Sequence, residues 1–200
     1  MKSYYAQPIW MATVLILTLT SCQGSSSTRD ESLKDYTITS IGNGFQYAEK
    51  RDAEGNLISA GHLYNGKKTG TWTEYSNGRV RKVESYINGL LNGPVLHIND
   101  RNDLTKVEHY RNGKLHGLVA EYKFSRPLYE IHYKDDKLHG KATYYFSNNG
   151  KVQKVLHYKD GKLHGDVDYY NDRGEHIMHY VYKNGEKVEG QILQPTKEEK

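Results

Sequence analysis

The sequence predicts an all-β protein, an extended antiparallel β-meander of stacked hairpin repeats with roughly a dozen short strands. Three observations predict this fold. A motif of about two dozen residues recurs along the chain, and a repeat of that period indicates an array of small structural units. Most copies contain an Asn-Gly or Asp-Gly pair, which is a strong local signal for a tight hairpin. Tyrosine is abundant, with 18 residues against 3 Phe and 2 Trp, and together with 19 Gly it suits exposed strands joined by tight turns.

The first 21 residues have the pattern of an export signal. Lys2 supplies a positive charge, and Ile9 to Leu19 is an apolar stretch of 11 residues that is broken only by two threonines. A helix of this length is too short to span the roughly 30 Å core of a bilayer, and it is typical of a secretory signal. We therefore expect residues 1–21 to be a signal peptide, and a retained membrane helix is the alternative.

The end of this segment, Leu19-Thr20-Ser21-Cys22, resembles the lipobox of bacterial lipoproteins, which is a leucine, two small residues and a cysteine. The resemblance implies that Cys22 receives a diacylglycerol and becomes the first residue of the mature protein. Two or more acyl chains hold a protein stably at a membrane, whereas one chain binds only marginally. The alternative is a plain signal peptide with a chance cysteine. Gln23, where some Gram-negative sorting signals have Asp, resembles an outer-membrane rather than an inner-membrane address.

The rest of the chain divides by composition into three parts. Residues 22–35 are small and polar, which predicts a flexible tether. Residues 36–190 form the repeat domain. Residues 191–200 are polar and charged, which predicts a tail that frays.

Each unit of the repeat domain predicts two short strands and two turns. The units start at Tyr64, Tyr86, Tyr110, Tyr133, Tyr158 and Tyr182, at steps of 22, 24, 23, 25 and 24 residues, and a weaker copy starts at Tyr36. In most of them an Asn-Gly or Asp-Gly turn is followed by a glycine that opens a strand, a second turn and a return strand. These local connections favour antiparallel pairing and imply no crossover helix.

Two sets of large side chains recur within the strands. The first set is expected to face one side of the sheet and consists of Trp72, Val95, Val119, Ala142 and Val167. Three residues later comes the second set, Tyr75, Tyr122, Tyr145 and Tyr170, with Ile98 filling the gap. Because an odd spacing reverses the direction of a strand side chain, the two sets face opposite sides. The four tyrosines are the candidate binding face, since tyrosine offers an apolar ring and keeps its hydroxyl in water. Simple cover of the sheet by contacts between neighbouring strands is the alternative.

Six recurrent histidines raise the question of a metal site. They form two sets, His109, His132 and His157 before the unit tyrosine, and His116, His139 and His164 within Lys-Leu-His-Gly. Equivalent positions lie two strands apart, about 9–10 Å. A zinc ion needs donor atoms ~2.0–2.1 Å away, so one row cannot converge on one ion. We therefore expect these histidines to be structural, and we expect no metal site and no cofactor.

The pattern Tyr-x-Asn/Asp-Gly-Lys-Leu-His-Gly, followed by Tyr and then Asn-Gly, resembles the MORN repeat and especially its bacterial variant. The resemblance extends from about Tyr64 to Gly190, with a departure at Asp135-Asp136. It implies a non-catalytic binding or scaffold module. Some bacterial variants carry the label of antitoxin, so an antitoxin or immunity-type protein of a toxin–antitoxin pair is the alternative, although export fits it poorly.

Catalysis and nucleic-acid binding are disfavoured by the sequence. We find no nucleophile elbow, paired-acid motif or Cys/His set, and a repeat sheet presents one group many times rather than unlike groups in a pocket. The net charge of +4 comes from 28 basic and 24 acidic residues that are interspersed, unlike a nucleic-acid-binding arm. The sequence thus predicts a lipoprotein of the cell envelope that binds the membrane through its lipid and a protein or envelope polymer through its repeats.

Overall fold

The computed structural model describes residues 31–193, which form one open antiparallel sheet of fifteen strands after a short 3₁₀ helix, Glu31–Leu33. The strands are β1 Thr37–Gly42, β2 Phe45–Arg51, β3 Leu57–Tyr64, β4 Lys67–Ser76, β5 Arg79–Ile87, β6 Leu90–Leu91, β7 Gly93–Ile98, β8 Leu104–Arg111, β9 Lys114–Lys123, β10 Arg126–Lys134, β11 Lys137–Tyr145, β12 Val152–Lys159, β13 Lys162–Tyr170, β14 His176–Lys183 and β15 Glu186–Ile192. Strands adjacent in the chain pair with each other, except that β5 pairs with both the two-residue β6 and β7. The predicted β-meander is confirmed. Within the described residues, no helix is long and apolar enough to cross a bilayer.

Of the seven tight turns at one end of the strands, six have an Asn-Gly or Asp-Gly pair at their centre. Both central residues have positive φ in every one of these turns, for example 50° at Asp160 and 85° at Gly161. The seven turns are Asn43–Gly44, Asn65–Gly66, Asn88–Gly89, Asn112–Gly113, Asp135–Asp136, Asp160–Gly161 and Asn184–Gly185. The first of them shows that the weak copy begins at Gly42 rather than Tyr36, so its step to Tyr64 is 22 residues, like the others.

Most of the large buried side chains of the sheet lie in or beside one row that crosses the strands on one face, which we call the core face. The row consists of Ala48, Gly61, Trp72, Glu84, Val95, Glu108, Val119, Ile131, Ala142, Leu156, Val167, Tyr180 and Gly190. All five residues of the first predicted set belong to this row, and all five are buried. The opposite side of the sheet is called the outer face.

Glycine lies beneath an aromatic ring near both ends of this row. The Trp72 ring covers Gly61 of the preceding strand, and the Tyr180 ring covers Gly190 of the following strand. A Cβ atom at either glycine would overlap the ring. The missing side chain is therefore what lets each ring lie against the backbone of the neighbouring strand.

The predicted tether is wrong for its last five residues. Leu33 is 1% exposed and packs with Ala48, Leu63 and Trp72, and Asp35 forms an ion pair with Lys50 at 3.0 Å. The physical reason is that a sheet one layer thick leaves the core face uncovered at its first end, and Leu33 supplies that cover. At the other end β15 runs to Ile192, two residues into the predicted tail. The predicted signal peptide and Cys22 lie outside the described residues.

Candidate functional site

The four tyrosines predicted as a binding face all lie on the outer face and are half-buried. Each is placed opposite a β-bulge in the next strand, so that Tyr145, for example, pairs with Val152 while Tyr144 pairs with Lys154. The Tyr145 hydroxyl donates a hydrogen bond of 2.8 Å to Glu130. Burial, together with this bond, raises the pKa of Tyr145 to about 12. The Tyr145 hydroxyl therefore stays protonated and able to donate at neutral pH.

One of the four, Tyr170, lines an open hollow of about 650 Å³ on the outer face. Its apolar lining comes from Val152, Val155 and the Tyr170 ring, and cationic side chains surround it. These cations are Lys141, Lys151 and Arg173. No acidic side chain of the described residues lines the hollow. It therefore combines an aromatic surface with a positive rim.

A second and denser set of tyrosines, which the repeat pattern did not predict, lies on the core face. These rings surround the buried residues Ile131, Ala142, Leu156 and Val167, and they are Tyr129, Tyr133, Tyr144, Tyr158, Tyr169, Tyr180 and Tyr182. The signal that could have found them is the pair of consecutive tyrosines in β11 and in β13. Neighbouring residues in a strand must point to opposite faces, so each pair gives one ring to each side.

The histidines that precede the unit tyrosine cap the backbone. Nδ1 of His109, His132 and His157 lies 2.9–3.0 Å from the carbonyl oxygen of Leu118, Lys141 and Asp166, respectively. Since a carbonyl oxygen only accepts, Nδ1 carries the proton. Each carbonyl follows the glycine at which the strand bulges with positive φ, so the imidazole satisfies a group near the interrupted ladder.

The histidines of Lys-Leu-His-Gly link one unit to the next. His116 lies 3.2 Å from Asp135, His139 lies 3.4 Å from Asp160, and His164 lies 3.3 Å from Asn184. Each partner is the first residue of the following unit's tight turn. The hydrogen bond from His116 lowers the pKa of Asp135. Neither repeated row of histidines is brought to a common point.

A third group of ionisable residues, which the sequence analysis also missed, does converge on the outer face. The Asp168 Oδ1 atom lies 2.8 Å from His176 Nε2 and 2.8 Å from His179 Nδ1. The Tyr170 ring stacks on His176 with centroids 5.0 Å apart and an interplanar angle of 25°. The hydrogen bond to Asp168 raises the pKa of His179.

Two glutamates interrupt the core row, and both are neutralised locally. Glu84 is buried, pairs with Lys82 and accepts a 3.0 Å hydrogen bond from the Tyr86 hydroxyl. Glu108 lies 2.8 Å from Lys106 Nζ and 3.0 Å from His97 Nε2. The carboxylates lie on either side of Val95 in the row, two strands apart. Both carboxylates are therefore already paired with side chains of the sheet itself.

A larger hollow of about 880 Å³ lies at the first end of the sheet, against Leu33. Its apolar lining includes Leu63 together with Phe45 and Leu90, which are 45% and 50% exposed. Leu33, where the chain enters the sheet, is one of the residues that line this hollow.

No family model and no curated protein matches the chain. Among solved structures, a mutant of S. aureus TarM in complex with fondaparinux, alpha-GlcNAc-glycerol and UDP is similar at 13% identity, with a TM-score of 0.29 over 67% of this chain and 22% of that chain. A second TarM structure matches at 14% identity, with a TM-score of 0.28 over 66% of this chain and 22% of that one. The chain thus spans about a fifth of the TarM chains, and at TM-scores this low the likeness carries no argument.

Proposed function

We propose that the chain is a non-catalytic binding module of the MORN-variant type, held at a bacterial cell-envelope membrane by a lipid on Cys22. In this proposal it binds a protein or an envelope component through its outer face. The observation that carries the proposal is the hollow beside Tyr170, where an aromatic ring and two valines lie within a rim of three cations.

The charge of the hollow indicates what its ligand carries. Lys141, Lys151 and Arg173 face the same open space, and Lys151 Nζ donates a 2.7 Å hydrogen bond to the Arg173 carbonyl oxygen, which holds the lysine at the rim. Cations at such a rim attract anionic groups, and the attraction is screened at high salt. We infer a ligand with acidic or phosphate groups beside an apolar or ring-shaped surface.

The repeat favours an extended ligand. Tyr122, Tyr145 and Tyr170 occupy equivalent positions two strands apart, so neighbouring rings recur at about 9–10 Å. A linear ligand that offers similar groups at a regular interval would meet similar contacts in successive units. Tyrosine suits this role because it provides contact area with little loss of side-chain entropy.

The position of the hollow suits a module that reaches away from a membrane. The chain enters the sheet at Leu33, eleven residues after Cys22, and eleven residues span at most about 40 Å. The Tyr170 strand lies nine strand positions beyond β3, or about 40 Å at the spacing of paired strands. A lipid on Cys22 would thus hold the first end of the sheet, with the exposed Phe45 and Leu90, within about 40 Å of the membrane, and the basic hollow lies about 40 Å farther along the sheet.

Consecutive tyrosines provide a matched test of the binding face. A photo-crosslinking amino acid is placed at Tyr145 or Tyr170 on the outer face, and in control variants at Tyr144 or Tyr169 on the core face. In intact cells we expect crosslinked products from the outer-face positions and none from the controls. Products only from the controls would move the site to the core face, and products from neither pair would refute a binding role for the repeats.

The membrane part of the proposal has a separate test. Cells are grown with a labelled palmitate analogue, and the chain is compared with a Cys22→Ser variant. We expect the variant to take up no label and to be absent from the membrane fraction. A variant that remains in the membrane fraction would show that the lipid is not the anchor.

A further inference from the structure

We propose that Asp168, His176 and His179 form a binding site for a divalent transition-metal ion of the Zn²⁺ class. One ligand atom from each residue lies within 4.8 Å of the other two, in the part of the chain that the structure describes. The site requires no partner molecule, so the test of the metal site and the test of the proposed function can give independent results.

A β-bulge creates this juxtaposition. His176 and His179 are three residues apart in β14, and in a regular strand residues at that spacing point to opposite faces. Tyr169 pairs with Met178, but Tyr170 pairs with His176, so Ile177 is an extra residue in β14. The extra residue reverses the alternation, and both imidazoles reach the outer face, where Asp168 lies directly across from His179.

The chemistry of the donors defines the class of ion. Two imidazole nitrogens and one carboxylate oxygen are ligands that Zn²⁺ accepts, and imidazole equally suits Cu²⁺ and Ni²⁺. Three protein ligands leave at least one position for water or for a ligand group. Hard cations such as Mg²⁺ and Ca²⁺ prefer sets made entirely of oxygen, which this group does not supply.

A nitrogen without a hydrogen-bond partner points to the same conclusion. His176 Nε2 is shielded from solvent, and although Asp168 Oδ1 is 2.8 Å away, the two atoms are not aligned as a hydrogen bond. Buried polar atoms normally have such a partner. A metal ion bound between the imidazoles and the carboxylate would use this nitrogen.

The neighbouring side chains would support a bound ion. The Tyr170 ring stacks on His176 and restricts its rotation. His179 Nε2 faces the Asp166 carboxylate at 3.9 Å, so His179 can ligate through Nδ1 while its other ring nitrogen carries the proton. At 3.9 Å the Asp166 carboxylate is too far for a direct hydrogen bond to this nitrogen, so its effect on the ligating histidine is electrostatic.

The test is isothermal titration of the full chain in detergent with ZnCl₂. We expect one ion per chain at this site, and binding at least ~10-fold weaker in each of Asp168→Asn, His176→Gln and His179→Gln, since even residues that only support a ligand contribute about that much. The matched control is His109→Gln, which removes a half-buried histidine of the same face. A second control, Cys22→Ser, removes the sulfur atom of the chain's one cysteine. Both controls should bind as tightly as the unmodified chain.

A second measurement needs no variant. Sub-stoichiometric Zn²⁺ added to the unmodified chain should shift the side-chain NMR signals of His176 and His179 before those of the other eight histidines. An absence of heat, or equal affinity in the three site variants and the His109→Gln control, would overturn the site. So would earlier shifts at any of the repeated histidines.

Discussion

Replacing Gly61 by alanine should cost far more stability than a single methyl group suggests. The new Cβ would occupy the space of the Trp72 indole, which is 1% exposed. The indole N–H donates a 2.9 Å hydrogen bond to the His62 carbonyl oxygen, and the ring packs edge-on against Tyr36 and Tyr86 at 5.6 and 6.4 Å. The ring must therefore lift away from the strand and lose part of each contact.

The size of the effect follows from these contacts. Forcing extra volume into a packed core costs about 1–3 kcal/mol. Pulling the indole N–H off its acceptor adds about 1 kcal/mol. We therefore expect Gly61→Ala to lower the free energy of unfolding by about 2–4 kcal/mol, measured by urea denaturation followed by far-UV circular dichroism.

A double-mutant cycle with Trp72→Val isolates the cause. Valine is the residue that other units have at this position, and it leaves room for a methyl group on the neighbouring strand. In that background Gly61→Ala should become stabilising by about 0.5–1 kcal/mol, because glycine within a strand loses more backbone entropy than alanine. An equal cost in both backgrounds would refute the argument that the indole is the obstacle.

Three further predictions test turns and charge. Gly161→Ala should lower the free energy of unfolding by about 1 kcal/mol, because φ is 85° at this position. No atom lies within 4 Å of the new Cβ, so a thermal melt would report backbone strain alone. An unchanged melting temperature would contradict this prediction. Ser125→Gly should stabilise the fold by up to about 1 kcal/mol, because Ser125 is exposed with φ of 61°, and a loss of stability in the same melt would be the contrary result. Burial alone would raise the pKa of Glu108, but hydrogen bonds from Lys106 and His97 outweigh it and lower that pKa below its ordinary value of 4.5. Because this pKa is lowered, the ionised Glu108 stabilises the folded state above pH 4.5, and this stabilisation is lost as the pH falls through the pKa. The free energy of unfolding should therefore fall more steeply with decreasing pH in the unmodified chain than in Glu108→Gln.

Turn positions and the two faces of each strand could be predicted because both depend on residues close together in the chain. An Asn-Gly pair tolerates positive φ at both residues and so favours a tight turn, and side chains alternate along any extended strand. The buried row through Trp72 and Val167 followed from that alternation alone. Even so, the turn at Phe124 and Ser125 adopts positive φ without any glycine, because the hairpin around it imposes that geometry.

The candidate sites depended on pairing between strands, which the sequence does not state. The hollow beside Tyr170 needs side chains of β11, β12 and the turn before β14 to meet around a β13 tyrosine. The convergence of His176 and His179 needs a bulge whose position is set by how β14 aligns with β13. A register shift of one residue reverses every side chain beyond it, so a local pattern cannot place such a group.

The sequence by itself determined the kind of sheet, its repeating unit and most of its tight turns, because these arise from preferences that act over two to five residues. Only the tertiary structure decided that Leu33 covers the first end of the core face, that rings lie over Gly61 and Gly190, and that Asp168 meets two histidines. These features join residues from different strands or units, and their contacts stabilise the fold only once the strands have paired in one particular register.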